Sequence, residues 1–327
     1  MYILQAYEKP HRPDEKRRMT PYDKKEKIRW KQYLPIYLLA LPGIIYMICN
    51  NYLPMFGIVI AFKKLNFAKG ILASPWCGLK NFEFLFKSST AFTMIRNTIC
   101  YNVLWLILGH VLAIASAILL NEITNRFRAR FYQSVILLPY LMSWVVVSYL
   151  VFAFLSADTG MFNNSILKPL GIAPVNWYSE SKYWPFILTF VNHWKNNGYT
   201  MIVYFASIVG ISQDYYEAAM LDGATKWQQI KHITIPQLVP TIITLMILSV
   251  GRIFASDFGL FYQIPRNTGA LYNATQTIDV YVYNALMQRS DYGMASAASV
   301  FQSIVGFLMV MVTNAIVRKV SRENAMF

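Results

Sequence analysis

Residues 97–120 read NTICYNVLWLILGHVLAIASAILL, from Asn97 to Leu120, without a single Asp, Glu, Lys or Arg. A helix that crosses the hydrocarbon of a bilayer needs about 20 mostly apolar residues, so this run is long enough to span. Working outward, the same test selects 34–56, 131–155, 184–210, 238–258 and 295–317, of which the last, Ala295 to Val317, is also free of charge. The first of them carries Pro42 and Pro54, and its apolar character continues to Phe62. Composition agrees: 56% of the 327 residues are hydrophobic and 14% charged, with mean hydropathy +0.35. A water-soluble domain has about 25% charged residues, so this chain lacks the charge to cover a surface facing water. The expectation is an all-α integral membrane protein with six transmembrane helices. Disorder, collagen-like repeats and a disulfide scaffold are excluded. Cys49, Cys77 and Cys100 sit in no CxxC or Cys/His spacing, which gives no metal ligands and no redox pair.

The formal charge is +14, from 30 Lys and Arg against 16 Asp and Glu. Such a surplus marks either a nucleic-acid partner or a chain oriented by anionic lipid, and its distribution decides between them. Placing the amino terminus in the cytoplasm puts 1–33, 121–130, 211–237 and 318–327 inside. The first is dense in Lys and Arg from Lys9 to Lys31; the others carry Arg126, Arg128, Arg130, Lys226, Lys231, Arg318, Lys319 and Arg322. Positive residues near span ends stay cytoplasmic, so both termini are expected inside, the bilayer is the partner and nucleic acid is not. The expected organisation is a basic tail 1–33, a six-helix domain 34–317 holding an inner loop 211–237, and a tail 318–327. The basic head is too long for a signal-peptide n-region and no Ala-x-Ala site follows it, so it is expected to be retained. Tyr22 to Gln32 suits either a helix on the inner membrane surface or a solvated anchor. The outer segments 57–96, 157–183 and 259–294 are rich in Asn, Tyr, Phe, Gly and Pro, which suits short interfacial helices and docking surfaces.

Between the fourth and fifth stretches lies EAAMLDGATKWQQIKHITIP, from Glu217 to Pro236. Ser212 or Asp214 can cap a short helix, with Asp214 and Glu217 in a first turn whose dipole favours acids. Gly223 can take positive φ and end that helix. Pro236, followed by Pro240, is expected to stop the next helix and begin the re-entry into the bilayer. Two short helices hinged at a glycine make a knob, and the alanines let another protein approach it closely.

The pattern Glu-Ala-Ala, three residues, Gly, nine residues, Ile, one residue, Leu, Pro resembles the signature loop of the membrane subunits of binding-protein-dependent ABC importers. Glu217, Ala218, Ala219, Gly223, Ile233 and Pro236 match in place, and Ile235 stands where Leu is usual, a swap that conserves volume. Asp222-Gly223-Ala224 and Gln229 resemble the carbohydrate branch, the maltose-permease-like class. Leu41-Pro42-Gly43, Tyr52 to Gly57, Gly78 to Phe82, Gly251 to Tyr262 and Glu323 to Phe327 are similar to permeases for complex acidic oligosaccharides: polygalacturonan, rhamnogalacturonan and alginate. The resemblance covers the chain from about residue 33 onward. It implies the type I ABC importer permease fold in a bacterial inner membrane, with Glu217 to Gly223, Asp222 included, as a coupling helix docked on a cytoplasmic ABC ATPase dimer. It also implies a second permease subunit, in a heterodimer, and an extracytoplasmic solute-binding protein that delivers the oligosaccharide. ATP and Mg belong to the partner ATPase: this chain has no Gly-x-x-x-x-Gly-Lys-Ser/Thr phosphate loop, and no cofactor or catalytic residue is assigned to it. A secondary transporter or channel would call for internal inverted repeats, which the six stretches do not display. A docking or sensor subunit without transport stays open beside the importer.

Asn192, Trp194, Lys195, Asn196 and Asn197 stand inside the fourth apolar stretch, and Arg252 and Asp257 inside the fifth. A charge at the bilayer centre costs about 2.5–3.5 kcal/mol on insertion scales, so these residues face a water-filled cavity or a partner helix. In one reading they line a hydrophilic path, Asn and Trp meeting sugar while Arg252 or Lys195 meets uronate carboxylates. In the other they glue helices together. Arg252 and Asp257 are near enough along a helix to pair, although a separation of five is not the favoured spacing. His193 reads as a buried structural histidine.

Overall fold

A computed structural model describes residues 30–320, so most of the basic head and the final segment Glu323 to Phe327 lie outside the described residues. The chain divides into two units at Phe56 and Gly57. In the first, helix α1 (Trp30–Met47) contains Pro35 and Pro42 and passes into a π turn, Ile48–Tyr52. Leu38, Leu39 and Tyr46 are exposed along it, an arrangement that hydrocarbon tolerates and water does not.

From Gly57 onward the described chain builds α2 (Ser89–Asn121), α3 (Arg126–Leu141), α4 (Trp144–Leu155), α5 (Trp184–Val209), α6 (Gln213–Leu221), α7 (Ile235–Val250), α8 (Phe258–Gln263), α9 (Ile278–Arg289) and α10 (Tyr292–Val320). Helix α2 starts where Ser88, in extended backbone, accepts from Thr90 N at 3.2 Å. Its 33 residues reach about 50 Å at 1.5 Å rise each. Helices α2 and α5 lie along one another: Ala113 and Ala117 are fully buried against Met201, Tyr204 and Ile208, with Leu238 of α7. Nearer the start of α2, Tyr101 packs with Val147 and Val151 of α4, Trp184 and Leu188 of α5, and Phe261 of α8. Ala91 and Met94 join Ile278 and Tyr281 of α9 to Ala295 and Ala298 of α10.

Lipid tails are as apolar as leucine, so close packing and hydrogen bonds, rather than escape from solvent, hold such helices together. The recurrence of alanine at these contacts follows. A close backbone-to-backbone crossing lies at Gly198 of α5, where an added Cβ would strike the Ile136 carbonyl oxygen and come within 2.9 Å of Leu137 Cα on α3.

Helical runs long and apolar enough to cross a membrane cover Tyr33–Phe62, Ser89–Asn121, Lys226–Val250 and Tyr292–Lys319. The expected single span 131–155 is instead two helices, α3 and α4, which meet at 97° and together have the length and apolar character of a broken span or a re-entrant loop. Pro139 stands near the end of α3, and Ser143 then starts α4 by accepting from Val146 N at 3.3 Å. Helix α5, at 26 residues, has the length to cross, but Asn192 to Asn197 lower its apolar character below that of the other four runs.

The expected fifth helix, 238–258, is displaced. Helical backbone begins at Lys226 and ends at Val250, leaving residues 251–257 outside it. Pro236 therefore does not stop a helix. A π turn, Ile230–Thr234, precedes it, with Ile235 N donating to Ile230 O five residues back. A proline ring clashes with the carbonyl four residues earlier in α geometry, and the wider turn just before Pro236 relieves that clash.

Candidate functional sites: a polar cavity and a capped loop

Where α7 gives way at Gly251, a cavity of about 550 Å³ opens between α2, α5 and residues 251–257. Helix α5 presents Asn192, Asn196 and Thr200 to it, spaced by four so that they share one face. Asn196 Nδ2 donates to Asn192 Oδ1 at 2.8 Å, which fixes both amides on that wall. Helix α2 adds Asn102, Trp105 and His110, and the unwound segment adds Arg252, Ser256 and Asp257.

The structure thus brings together Asn192, Asn196, Arg252 and Asp257, while Trp194, Lys195 and Asn197 of α5 do not line this cavity. Lys195 is buried and donates through Nζ to Tyr140 O at 2.9 Å, with its ammonium 4.9 Å from the Trp144 ring and 5.4 Å from the Tyr140 ring. Tyr140 lies in the last turn of α3, whose final carbonyls have no partner in the helix, and a cation there satisfies both the carbonyl and the dipole. Trp194 and Asn197 line a different groove beside Phe186 and Phe190, and Asn197 Nδ2 donates to Ser116 Oγ at 3.2 Å.

The anticipated Arg252–Asp257 pair does not form. The Asp257 carboxylate accepts instead from Trp144 Nε1 at 2.9 Å and, as the cap of α8, from Leu260 N at 3.3 Å. Arg252 is exposed, and among the described residues its guanidinium has no hydrogen bond or ion pair; only its backbone is bonded, Arg252 N donating to Ser249 O at 3.0 Å and Arg252 O accepting from Ala255 N at 2.9 Å. Sequence reasoning missed Asn102, Trp105, His110 and Thr200. A signal was present on α2: positions 102, 105, 109 and 110 fall on one helical face of an otherwise apolar run.

The loop before α7 is closed by its own residues. Ser212 caps α6 by accepting from Asp214 N at 3.3 Å, and Asp214 occupies the first turn while Glu217 lies a turn later than expected. At its end Ala224 N donates to Ala219 O at 2.8 Å and Gly223 N to Met220 O at 3.0 Å, a Schellman closure that puts Gly223 at φ +78°. Thr225 and Gln228 then cap each other reciprocally to start the next turn, Lys226–Gln229, and Tyr216 OH meets Thr234 Oγ1 at 3.0 Å. Glu217, Ala218 and Asp222 are exposed and Ala219 is half-buried; Ile233 sits half-buried in the π turn and Pro236 is exposed. Met220, Leu221 and Trp227 are 53%, 90% and 70% exposed, which leaves large apolar groups uncovered on a charged loop.

Comparison with known proteins identifies the lineage. Residues 106–322 match the family model described as the binding-protein-dependent transport system inner membrane component. The chain is 34% identical over 92% of its length to the polygalacturonan/rhamnogalacturonan transport system permease protein YteP of Bacillus subtilis, covering 94% of that protein. It is 26% identical to the trehalose/maltose transport system permease protein MalF of Thermococcus litoralis, over 90% of this chain and 96% of that one. Among solved structures, a bacterial ABC transporter involved in import of the acidic polysaccharide alginate superposes with a TM-score of 0.81 at 32% identity, over 89% of this chain and 98% of its counterpart. The chain therefore belongs to the inner-membrane components of binding-protein-dependent transport systems: it is a multi-pass membrane permease and not an enzyme.

Proposed function

We propose that this chain is the translocating subunit of an ATP-driven importer for an acidic oligosaccharide handed over by an extracytoplasmic binding protein. In this reading it crosses the bacterial inner membrane six times, α5 included, with both termini in the cytoplasm. The observation that carries it is Arg252, an exposed guanidinium on the wall of the 550 Å³ cavity. Because Asp257 is occupied by Trp144 and Leu260, the charge of Arg252 is left for a ligand. A guanidinium matches a carboxylate by two parallel hydrogen bonds, while the Trp105 ring and the amides of Asn102, Asn192 and Asn196 suit sugar faces and hydroxyls. The relatives support an acidic cargo: alongside the polygalacturonan/rhamnogalacturonan permease, a second alginate transporter structure, with a TM-score of 0.80 at 32% identity, holds a periplasmic protein bound to alginate pentasaccharide.

Helix α6 is the element offered to the ATPase dimer, which would bury Met220 and Leu221 and meet Glu217, Ala218, Ala219 and Asp222. Ile233 and Pro236 belong to the continuous helical run Lys226–Val250, which joins that knob to the cavity wall at Gly251. Closure of the ATPase pair on ATP and Mg would pull this lever. It shifts the permease between states only in so far as ATP favours one of them. A second permease subunit completes the path, and Lys195 is assigned to holding α3, not to solute.

The test is the ATPase rate of the complex purified with its partners, stimulated by binding protein loaded with uronate or with neutral oligosaccharide. Uronate is expected to stimulate more, and Arg252→Ala to lower that stimulation about tenfold, equivalent to about 1.4 kcal/mol, with complex yield unchanged. Equal response to both cargoes overturns the acidic reading, and a fall confined to yield makes Arg252 interhelical glue.

A further inference from the structure

Residues 251–257 sit at the end of a membrane-crossing run and yet form no regular helix. In hydrocarbon each unsatisfied backbone group costs several kcal/mol, so irregular backbone survives there only where protein or a wet cavity serves it. Here protein serves it from three helices. Asn102 Nδ2 of α2 donates to Ile253 O and to Ala255 O, both at 2.9 Å. Gln302 Nε2 of α10 donates to Phe254 O at 2.6 Å. Asp279 of α9 accepts from Ser256 N at 2.6 Å, and the Ser256 hydroxyl lies 2.7 Å from the same carboxylate oxygen, to which it donates, and 2.7 Å from the Thr277 hydroxyl. Gln302 also reaches both Asp279 oxygens, at 3.3 and 3.2 Å, which orients the carboxylate. Four successive residues, 253 to 256, thus each have a backbone group held by a side chain from elsewhere in the chain.

The reason to hold them is visible at the two ends of the segment. At 3.6 residues per turn, positions five apart on a continuous helix point about 140° away from each other. Arg252 and Asp257 would then face opposite sides, whereas in the unwound segment both line one cavity. Nothing in Gly251 to Asp257 forbids helix by itself, since the segment contains no proline.

We propose that Asp279, with Gln302 and Asn102, forms a positioning clip that keeps the fifth span unwound at 251–257 and so determines which charged groups meet the solute. The role in solute selection rests on reading the cavity as the transport path; the clip itself does not.

The experiment uses the assembled transporter with Cys49, Cys77 and Cys100 replaced by Ser. Single reporters, Ala255→Cys on the segment and Thr200→Cys on the α5 wall, are labelled with a charged, water-soluble maleimide. Asp279→Ala and, separately, Gln302→Leu are expected to change the labelling rate at position 255 by roughly fivefold or more, as loss of part-buried, charge-assisted hydrogen bonds permits, with position 200 unaltered. The same variants are expected to bring the uronate-to-neutral ratio of ATPase stimulation toward that of Arg252→Ala. Unaltered labelling at 255 in an assembled clip variant overturns the proposal. If Asp279→Ala fails to assemble, Gln302→Leu and the milder Asp279→Asn carry the same test. If Arg252→Ala leaves cargo preference intact while labelling at 255 still responds, the solute reading fails and the clip stands.

Discussion

Two segments bound α7, and they are held in opposite ways. The loop 212–236 is closed by partners close by in sequence: Ser212 to Asp214, Gly223 to Met220, Ala224 to Ala219, Thr225 to Gln228. The segment 251–257 keeps short turn bonds of its own, Arg252 N to Ser249 O, Ile253 N to Val250 O and Ala255 N to Arg252 O, but the carbonyls of 253 to 255 and the amide of Ser256 are held from 23, 48 and 151 positions away, by Asp279, Gln302 and Asn102. A locally closed loop keeps its shape whatever the rest of the protein does, which suits an element that must be gripped and pulled by another chain. A remotely held segment changes shape when its supporting helices move, which suits the wall of a path that must open and close.

The largest test of this contrast is Gly223→Pro. Proline fixes φ near −65° and has no N–H, so it can neither adopt +78° nor donate to Met220 O, and costs of about 3 kcal/mol or more fall on one turn of the loop. Membrane insertion is expected to survive while uptake and its coupling to ATP hydrolysis are lost; Glu217→Lys, which inverts charge on an exposed face, is expected to do the same through docking alone. Normal uptake and normal co-purification with the ATPase in both variants would break the assignment of α6.

Lys195→Met addresses the cavity side, with a smaller expected effect. It removes a charge-assisted donor to Tyr140 O in a part-buried position, a loss of about 1.5–3 kcal/mol. The measurement is thermal stability of the purified complex beside its uronate-to-neutral preference. Stability is expected to fall and preference to hold. The reverse result would return Lys195 to the solute path and undo the division of the α5 cluster.

The same contrast explains which features are legible in the sequence. Glu217 to Pro236 was legible because its stops and caps are written within a few residues of one another, and Gly223 adopts the positive φ anticipated for it. Even there, Pro236 misled: the π turn that accommodates it has no sequence mark as plain as proline itself. Arg252 and Asp257 were visible as charges in an apolar run, but their geometry was not, because the helix carrying them ends where Asn102, Asp279 and Gln302 supply hydrogen bonds. Nor could the sequence show that Lys195 turns to α3 while Asn192 and Asn196 turn to the cavity, since that depends on which helix lies against each face of α5.

The smallest expected effect is the most direct check on local closure. Lys226 reaches Glu122 at the foot of α2 at 3.3 Å, the one ion pair that ties the loop to α2 among the described residues. Both side chains are well exposed, at 68% and 40%, and pairs of that kind contribute about 0–1 kcal/mol after screening and lost side-chain freedom. If the Schellman closure and the Thr225–Gln228 box hold the loop, Lys226→Ala should leave thermal stability, ATPase coupling and uptake within experimental scatter of the parent, at low salt and at high. A loss of coupling comparable with that of Gly223→Pro, deepening as salt is lowered, would mean that the loop borrows its shape from α2. The two segments around α7 would then both be held from a distance, and the distinction between a gripped knob and a movable wall would lose its structural basis.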